Sequence, residues 1–278
     1  MTPKRIALMN IESFSSGLAI RRLIEQEAEK ISLVICSEKH LQSGLLRAAI
    51  ENYRRSGFRF TVFLFLNFTM YYWVSSLCDA FDRMVGSSRP PRRIKALCKK
   101  YDIPYVAVTD VNADSTRALL RQYDIELILV YYFEQILNSE TLTLPPMGVI
   151  NAHAAFLPSY RGLFPVFRAT QFGEATAGMT LHEIPDEGID AGPILAQTKI
   201  ALARNLDALS QSRQVNFAGV DCIRAALENL AELRRRKHPQ SGAASYYSFP
   251  TAADAAMCLK NGHRVTSLWR FLRETVTS

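Results

Sequence analysis

Apolar and polar positions along this 278-residue chain follow two different periods. Short continuous apolar runs, the mark of strands covered on both faces, occur at RIALMN (5–10), ISLVICS (31–37), PYVAVTD (104–110), ELILVYY (126–132) and GVINAH (148–153). Between them the apolar residues recur at helical spacing. SGLAIRRLIEQEAEK (16–30) predicts an amphipathic helix opening after Ser15 and Ser16, RRIKALCKKYDI (92–103) a second, and DSTRALLRQYDI (114–125) a third, capped helix. Strands alternating with helices predict an α/β fold with a doubly wound, mostly parallel Rossmann-like sheet. Such sheets hold ligands beyond the carboxyl ends of their strands, where GVINAH places Asn151 and His153.

Two segments break the rhythm. Thr61 to Cys78 carries no charged residue and is long enough for a membrane span. Two strands precede it and at least three follow, and parallel neighbours in one sheet cannot lie on opposite sides of a bilayer. Asn67, Thr69, Ser75 and Ser76 also suit a protein neighbour better than lipid. The expectation is therefore an apolar helical insertion over 58–82 that folds back on the sheet or joins a twin in a homodimer. Membrane-surface contact through 60–78 is the less favoured reading. The second segment starts near residue 203, with a helix over 209–237 and then SYYSFPTAADAAMCLKNG (245–262). The expected organisation is a catalytic domain over 1–202 and a short helical extension over 203–278.

Composition narrows the class. An apolar content of 48% without a repeat indicates a globular chain. The formal charge of +7 is concentrated in SSRPPRRIKALCKK (87–100) and ELRRRKHPQ (232–240), which suits a phosphate-bearing substrate, RNA or an acidic membrane as well as it suits solvated helix faces. No basic-aromatic nucleic-acid module accompanies these runs, so no nucleic-acid partner is expected. The five cysteines (Cys36, Cys78, Cys98, Cys222, Cys258) are scattered and form no C-x-x-C pair, so they read as reduced thiols. MTPKRIALMN contains no apolar signal region, and a cytoplasmic location is expected.

The chemistry-bearing stretch is GVINAHAAFLPSYRG (148–162). Alone, Asn151 reads as a strand-end amide capping a loop and His153 as a half-buried ring bonded to backbone. Downstream, TAGMTLHEIPDEGIDAGPIL (176–195) runs a strand into an acidic turn. A carboxylate in such a turn can orient an imidazole and stabilise its charged form. His182, Glu183, Asp186 and Asp190 are residue types that could hold a metal, but they lack the helical HExxH register, and no metal is expected.

Together, N-x-H, L-P-x-x-R-G and D-x-G at this spacing resemble the folate-dependent formyltransferases, the family that contains glycinamide ribonucleotide transformylase, methionyl-tRNA formyltransferase and the amino-sugar N-formyltransferases. The resemblance runs from about residue 92 to 202 and more weakly back to residue 4. It implies a catalytic triad of Asn151, His153 and Asp190. It also implies a folate pocket built largely from backbone at Phe133, Glu134, Gln135, Ile136 and Leu137, closed by Val149 and by Glu187, Gly188 and Ile189. The implied activity is transfer of a formyl group from 10-formyltetrahydrofolate to the amine of a small molecule, an amino-sugar nucleotide or an amino-acid-derived amine or hydroxylamine. Asn151 and a protonated His153 would donate to the developing oxyanion. Asp190 would orient the ring and help move the amine's proton through a water.

There are departures. Ala154 and Ala155 stand where the family often has a serine. NIESFSSG (10–17) replaces the glycine-rich phosphate loop of the ribonucleotide enzymes, and the tail is short for a tRNA-binding barrel. A formyltetrahydrofolate hydrolase would share the triad, though it usually carries a further N-terminal domain. The same residues also leave room for a methionyl-tRNA formyltransferase-like enzyme or a non-catalytic binding module.

Overall fold

The computed structural model describes residues 2–39 and 44–278. The strands are β1 (Ile6–Asn10), β2 (Ile31–Ser37), β3 (Tyr105–Val108), β4 (Leu127–Tyr131), β5 (Val149–His153), β6 (Arg161–Gly162), β7 (Thr176–Glu183), β8 (Ile194–Ala201) and β9 (Tyr246–Tyr247). Seven of them form one sheet in the order β3-β2-β1-β4-β5-β7-β8, while β6 pairs with β9. Pairing is parallel from β3 through β5 and antiparallel at β5–β7 and β7–β8. Chain order reverses between β1 and β4, which opens the crevice expected at a topological switch point.

The helices are α1 (Phe14–Glu27), α2 (Leu45–Leu64), α3 (Tyr71–Met84), α4 (Ile94–Lys100), α5 (Asp114–Gln122), α6 (Ser139–Leu142), α7 (Pro165–Gln171), α8 (Ala208–Glu228), α9 (Leu230–Arg236), α10 (Ala252–Lys260) and α11 (Leu268–Val276). Strand alternation sends Ile6, Leu8, Leu127 and Leu129 into the core with α1, α4 and α8, and Ala7, Met9, Ile128 and Val130 into the core with α5. Each such isoleucine, leucine, valine or methionine side chain contributes on the order of 1.5–3 kcal/mol by leaving water.

Several expected boundaries move, for local reasons. α1 begins before Ser15, because Ser13 sits in extended backbone and its hydroxyl accepts the Ser16 N–H at 3.1 Å. α5 has no side-chain cap. Ala113 precedes it, and its first turn is held by the Thr116 hydroxyl, which donates to the Asp110 carbonyl. The long helix of the tail breaks at Asn229 into α8 and α9. The boundary expected at 202 separates no core, since Val215, Val220 and Ile223 of α8 pack in the same cluster as β1 and β4.

The insertion is longer than 58–82 and is helical from Leu45 to Met84. It is interrupted by non-helical backbone at Gly57 and by a π-helical segment, Phe65–Met70, between α2 and α3. One face folds back as expected. Phe60 and Phe63 stack on each other and meet Phe167 edge to face, while Tyr71 meets Phe14. Buried Asn67 accepts the Ser15 N–H and hydroxyl and donates to the Tyr132 hydroxyl. The other face stays uncovered, with Phe58, Phe65, Tyr72, Trp73, Leu77, Phe81 and Met84 exposed. By length and composition alone, Leu46–Met84 is long and apolar enough to cross a membrane. All five cysteines are free thiols; Cys36, Cys98 and Cys258 are buried.

Candidate active site

At the carboxyl end of β4 and β5 lies a cavity of about 380 Å³. Its floor is polar. Asn151 and His153 alternate with Ile150 and Ala152, so both polar groups leave one face of β5, along the stretch that pairs with the second half of β7. Antiparallel register sets His182 directly opposite Asn151. The loop after β7 then returns Asp190 to the same point.

Asp190 is the hub. Its Oδ1 accepts from the Asn151 amide at 2.9 Å and lies 3.4 Å from His153 Nδ1 and 3.4 Å from His182 Nε2, while Oδ2 accepts the Gly162 N–H at 2.8 Å. Burial alone would raise this carboxyl. The His153 charge, the His182 hydrogen bond and the Gly162 N–H outweigh it and hold the group well below the usual carboxylate range. His153 Nε2 lies 2.9 Å from the Tyr160 carbonyl, so both ring nitrogens face acceptors. The second nitrogen of His182, Nδ1, meets the Glu183 carbonyl at 2.9 Å, and its Nε2 lies 3.2 Å from the Asn151 amide nitrogen.

The surrounding loops are built to hold this hub. Gly162 has φ +90, and a Cβ there would collide with the Tyr247 carbonyl, which is why L-P-x-x-R-G ends in glycine. Gly192 closes the acidic turn so tightly that a Cβ would strike the Glu183 carbonyl. Tyr132, Tyr160, Phe164 and Asp190 all adopt left-handed backbone around the cavity, conformations that surrounding structure must impose. Gln240 supplies part of that constraint. It donates to the Asp190 and Gly192 carbonyls at 2.8 and 2.9 Å and accepts from Arg161 at 2.6 Å.

Phe133, Glu134, Gln135, Ile136 and Leu137 line the cavity, as do Glu187, Gly188 and Ile189, and the two segments are tied together where the Ser139 N–H donates to Glu187. Glu134 and Gln135 turn their side chains to Ser37, at 2.5 and 2.7 Å, and leave main chain toward the cavity. Burial pushes the Glu134 carboxyl above its ordinary value, against the Ser37 hydrogen bond. Val149 is a correction. It shares the face of Asn151 and His153 but lies two residues deeper, in the core with Ile128, and does not line the cavity. Of the four residues considered as metal ligands only His182 and Asp190 come together: Glu183 pairs with Arg234 and Lys237, Asp186 accepts the Gly188 N–H, and among the described residues no group of three or more candidate ligands is present.

Three contributors lie outside the motif's reading. His182 is visible in the sequence only as an acidic-turn neighbour, because its pairing with Asn151 is a matter of strand register. Gln240 and the cavity-lining Tyr246 come from the tail, where no motif marks them.

The formyl transferase family model matches residues 89–227, half of the chain. The chain belongs to the formyl transferase family. Within it, the chain is 33% identical to a methionyl-tRNA formyltransferase of Pelobacter propionicus over 163 residues, covering 59% of this chain and 51% of that one. It is 32% identical to a Staphylococcus aureus methionyl-tRNA formyltransferase over 161 residues, covering 57% and 51%. The chain thus matches only about half the length of these curated relatives. Among solved structures, a phosphoribosylglycinamide formyltransferase from Anaplasma phagocytophilum aligns with TM-score 0.56 at 17% identity, covering 88% of this chain and 98% of that one. An N-formyltransferase from Helicobacter canadensis, in complex with folinic acid and dTDP-3-aminofucose, aligns with TM-score 0.55 at 14% identity, covering 97% and 82%. These structural likenesses establish the formyltransferase fold, a seven-stranded, mostly parallel sheet with flanking helices.

Proposed function

We propose that this protein transfers a formyl group from 10-formyltetrahydrofolate to the amine of a small molecule, with Asn151, His153 and Asp190 as the catalytic residues. The observation that carries this reading is the ionised Asp190 carboxylate held among Asn151, His153 and His182 on the floor of a cavity. The rest of the cavity fits a reduced folate. Between Phe133–Leu137 and Glu187–Ile189, Glu134 and Gln135 keep their side chains on Ser37, so main-chain donors and acceptors are left for a flat heterocycle. When bound, the folate supplies an activated formyl carbonyl.

The chain's own groups then divide the work. Asn151 keeps one amide hydrogen on Asp190, and its longer contact, with His182, is the one an arriving carbonyl oxygen would replace. His153 can exchange the Tyr160 carbonyl for the same oxygen, giving a second donor where charge develops. Asp190 orients His153 and offsets its charge. His153 is already charged as a donor and cannot take the amine's proton, which passes through a water beside Asp190 to the departing folate nitrogen as the formyl carbon's bond to that nitrogen breaks. Among the described residues lining the cavity there is no lysine or arginine, which supports an acceptor whose enclosed part is uncharged apart from its amine.

Incubation with 10-formyltetrahydrofolate and an acceptor panel that includes methionyl-tRNA, followed by mass detection of N-formyl products, tests the reading. Formyl transfer to a small amine supports it. Formate release at the same rate without amine would make the protein a hydrolase, and failure to bind 5-formyltetrahydrofolate in calorimetry would remove the folate site altogether.

A further inference from the structure

The outer face of α2 and α3 is the feature that the formyl-transfer site does not use. Trp73 is 59% exposed and Leu77 69%, and Phe65, Tyr72, Phe81 and Met84 continue the same uncovered surface. A contiguous apolar face of this kind marks an interaction site. Of the four polar residues that argued against lipid, Asn67 and Ser75 are fully buried, Asn67 on Ser15 and Tyr132 and Ser75 on the Tyr71 carbonyl, while Thr69 and Ser76 are half-buried.

Charge selects the occupant. Residues 45–93 contain eight arginines and only three acids, Glu51, Asp79 and Asp82. Glu51 is paired with Arg47, and both aspartates are turned onto buried Arg92. Arg54, Arg59, Arg83 and Arg89 are exposed beside the apolar face. Two copies meeting face to face would bring these arginines together with Glu51 as the one exposed acid of the segment, and Glu51 is already taken by Arg47. An anionic leaflet answers them directly, with tryptophan and tyrosine at headgroup level and arginine on the phosphates. A span is excluded by the inner face, because Phe60, Phe63 and Tyr71 would have to leave Phe14 and Phe167.

We propose that the outer face of α2 and α3 docks this protein on an anionic lipid surface. The π-helical segment joins this surface to the site, since Phe68 lines the cavity three residues after exposed Phe65 and four before exposed Tyr72. Resting on the formyl-transfer reading, docking makes the acceptor an amine carried on a lipid-soluble group. Ile11, Phe68, Leu163, Phe164 and Val166 give the acceptor end of the cavity a matching apolar lining.

The test is co-sedimentation of the full chain with phosphatidylcholine vesicles and with 3:1 phosphatidylcholine:phosphatidylglycerol vesicles. Docking predicts at least tenfold stronger partitioning onto the anionic vesicles, weakened by salt. It also predicts a further tenfold loss in a Trp73→Ser, Leu77→Ser, Phe81→Ser variant whose melting temperature is unchanged. Asn151→Ala should bind vesicles as well as the parent, so this readout stands apart from catalysis and its failure is distinguishable from failure of the folate reading. Absence of vesicle binding overturns the proposal. So does a dimer, seen by light scattering, that the triple variant converts to monomer, because the face then belongs to a second copy. Resistance to alkaline carbonate extraction overturns it in favour of a span.

Discussion

The floor of the cavity and the α2–α3 insertion solve opposite problems. On the floor, polar groups are drawn out of water and satisfied by one another: Asp190 alone is bonded or paired to Asn151, His153, His182 and Gly162. In the insertion, polar groups are also drawn inward, but aromatic and aliphatic side chains are left in water on the far side. Burying polar groups costs free energy unless each finds a partner, so the first arrangement stays in place only while its network is complete. Leaving apolar groups exposed costs little in folding but favours a partner that covers them. The floor is therefore intolerant of single changes, and the insertion is intolerant on one face only.

The largest effect is expected at the hub. Asp190→Asn keeps the shape but removes the charge that orients His153, and turnover should fall on the order of a hundred- to ten-thousand-fold while folate affinity changes little. Double variants with His153→Ala should lose far less than the product of the single losses, because the residues act as one unit. Steady-state kinetics and calorimetry together check this; near-full activity in Asp190→Asn would remove Asp190 from the mechanism. The same carboxylate sets a pH dependence. Its pKa is depressed in the folded protein, so its stabilisation is present above the unfolded value of about 3.9 and is lost as pH falls through the folded value. The melting-temperature advantage of the parent over Asp190→Asn should be full at neutral pH and shrink below about pH 4.

Next in size is the inner face of the insertion. Phe60 is fully buried against Phe63, Phe164, Phe167 and Phe249, and Phe60→Ala should cost about 3–5 kcal/mol in urea unfolding. A loss under about 1 kcal/mol would mean that the insertion is held less firmly than its contacts imply.

A smaller effect is expected at Gln240, the tail residue that holds the Asp190 loop. Gln240→Ala removes two hydrogen bonds to carbonyls and two from Arg161, each worth about 1 kcal/mol. Because Gln240 only positions Asp190, kcat should fall about tenfold. Melting should drop by a few degrees, and Gln240→Glu, which keeps an acceptor for Arg161, should recover only part of the loss.

These residues also mark how far the sequence can be read. The five parallel strands are legible because strands covered on both faces are continuous apolar runs, and Asn151, His153 and Asp190 because their spacing forms a distinctive motif. His182 is not legible as a partner of Asn151, since antiparallel register joins residues 31 apart in sequence and no local pattern encodes it. Val149 misleads because residues two apart in a strand share a face without sharing a depth. Tyr246 reaches the site through the β6–β9 pairing and Gln240 through the His238–Ile194 bridge two residues before it, contacts made by loops that carry no helical or strand period of their own. Hydrophobicity marks 61–78 as something to be covered, but which half turns outward depends on Gly57 and on the π-helical segment, and neither is written in composition.

The smallest effect is expected on the outer face, and it sharpens the comparison most. Leu77 and Phe60 lie on the same helical insertion and both are large and apolar, so sequence alone would give them equal weight. Leu77 is 69% exposed, however, and its side chain has little to lose on unfolding. Leu77→Ser should change urea stability by no more than about 0.5 kcal/mol, the range of ordinary surface substitutions. In dilute buffer the sign should lean slightly toward destabilisation, since Leu77 lies within α3 and serine is a weaker helix former than leucine. In the presence of anionic vesicles the gap widens, because a surface that binds only the folded chain stabilises it by mass action, and the parent gains where the variant does not. Measuring both melts with and without vesicles separates the two cases. Equal destabilisation of Leu77→Ser under both conditions would mean that this face is covered by the protein itself, and the contrast between inner and outer faces would fail.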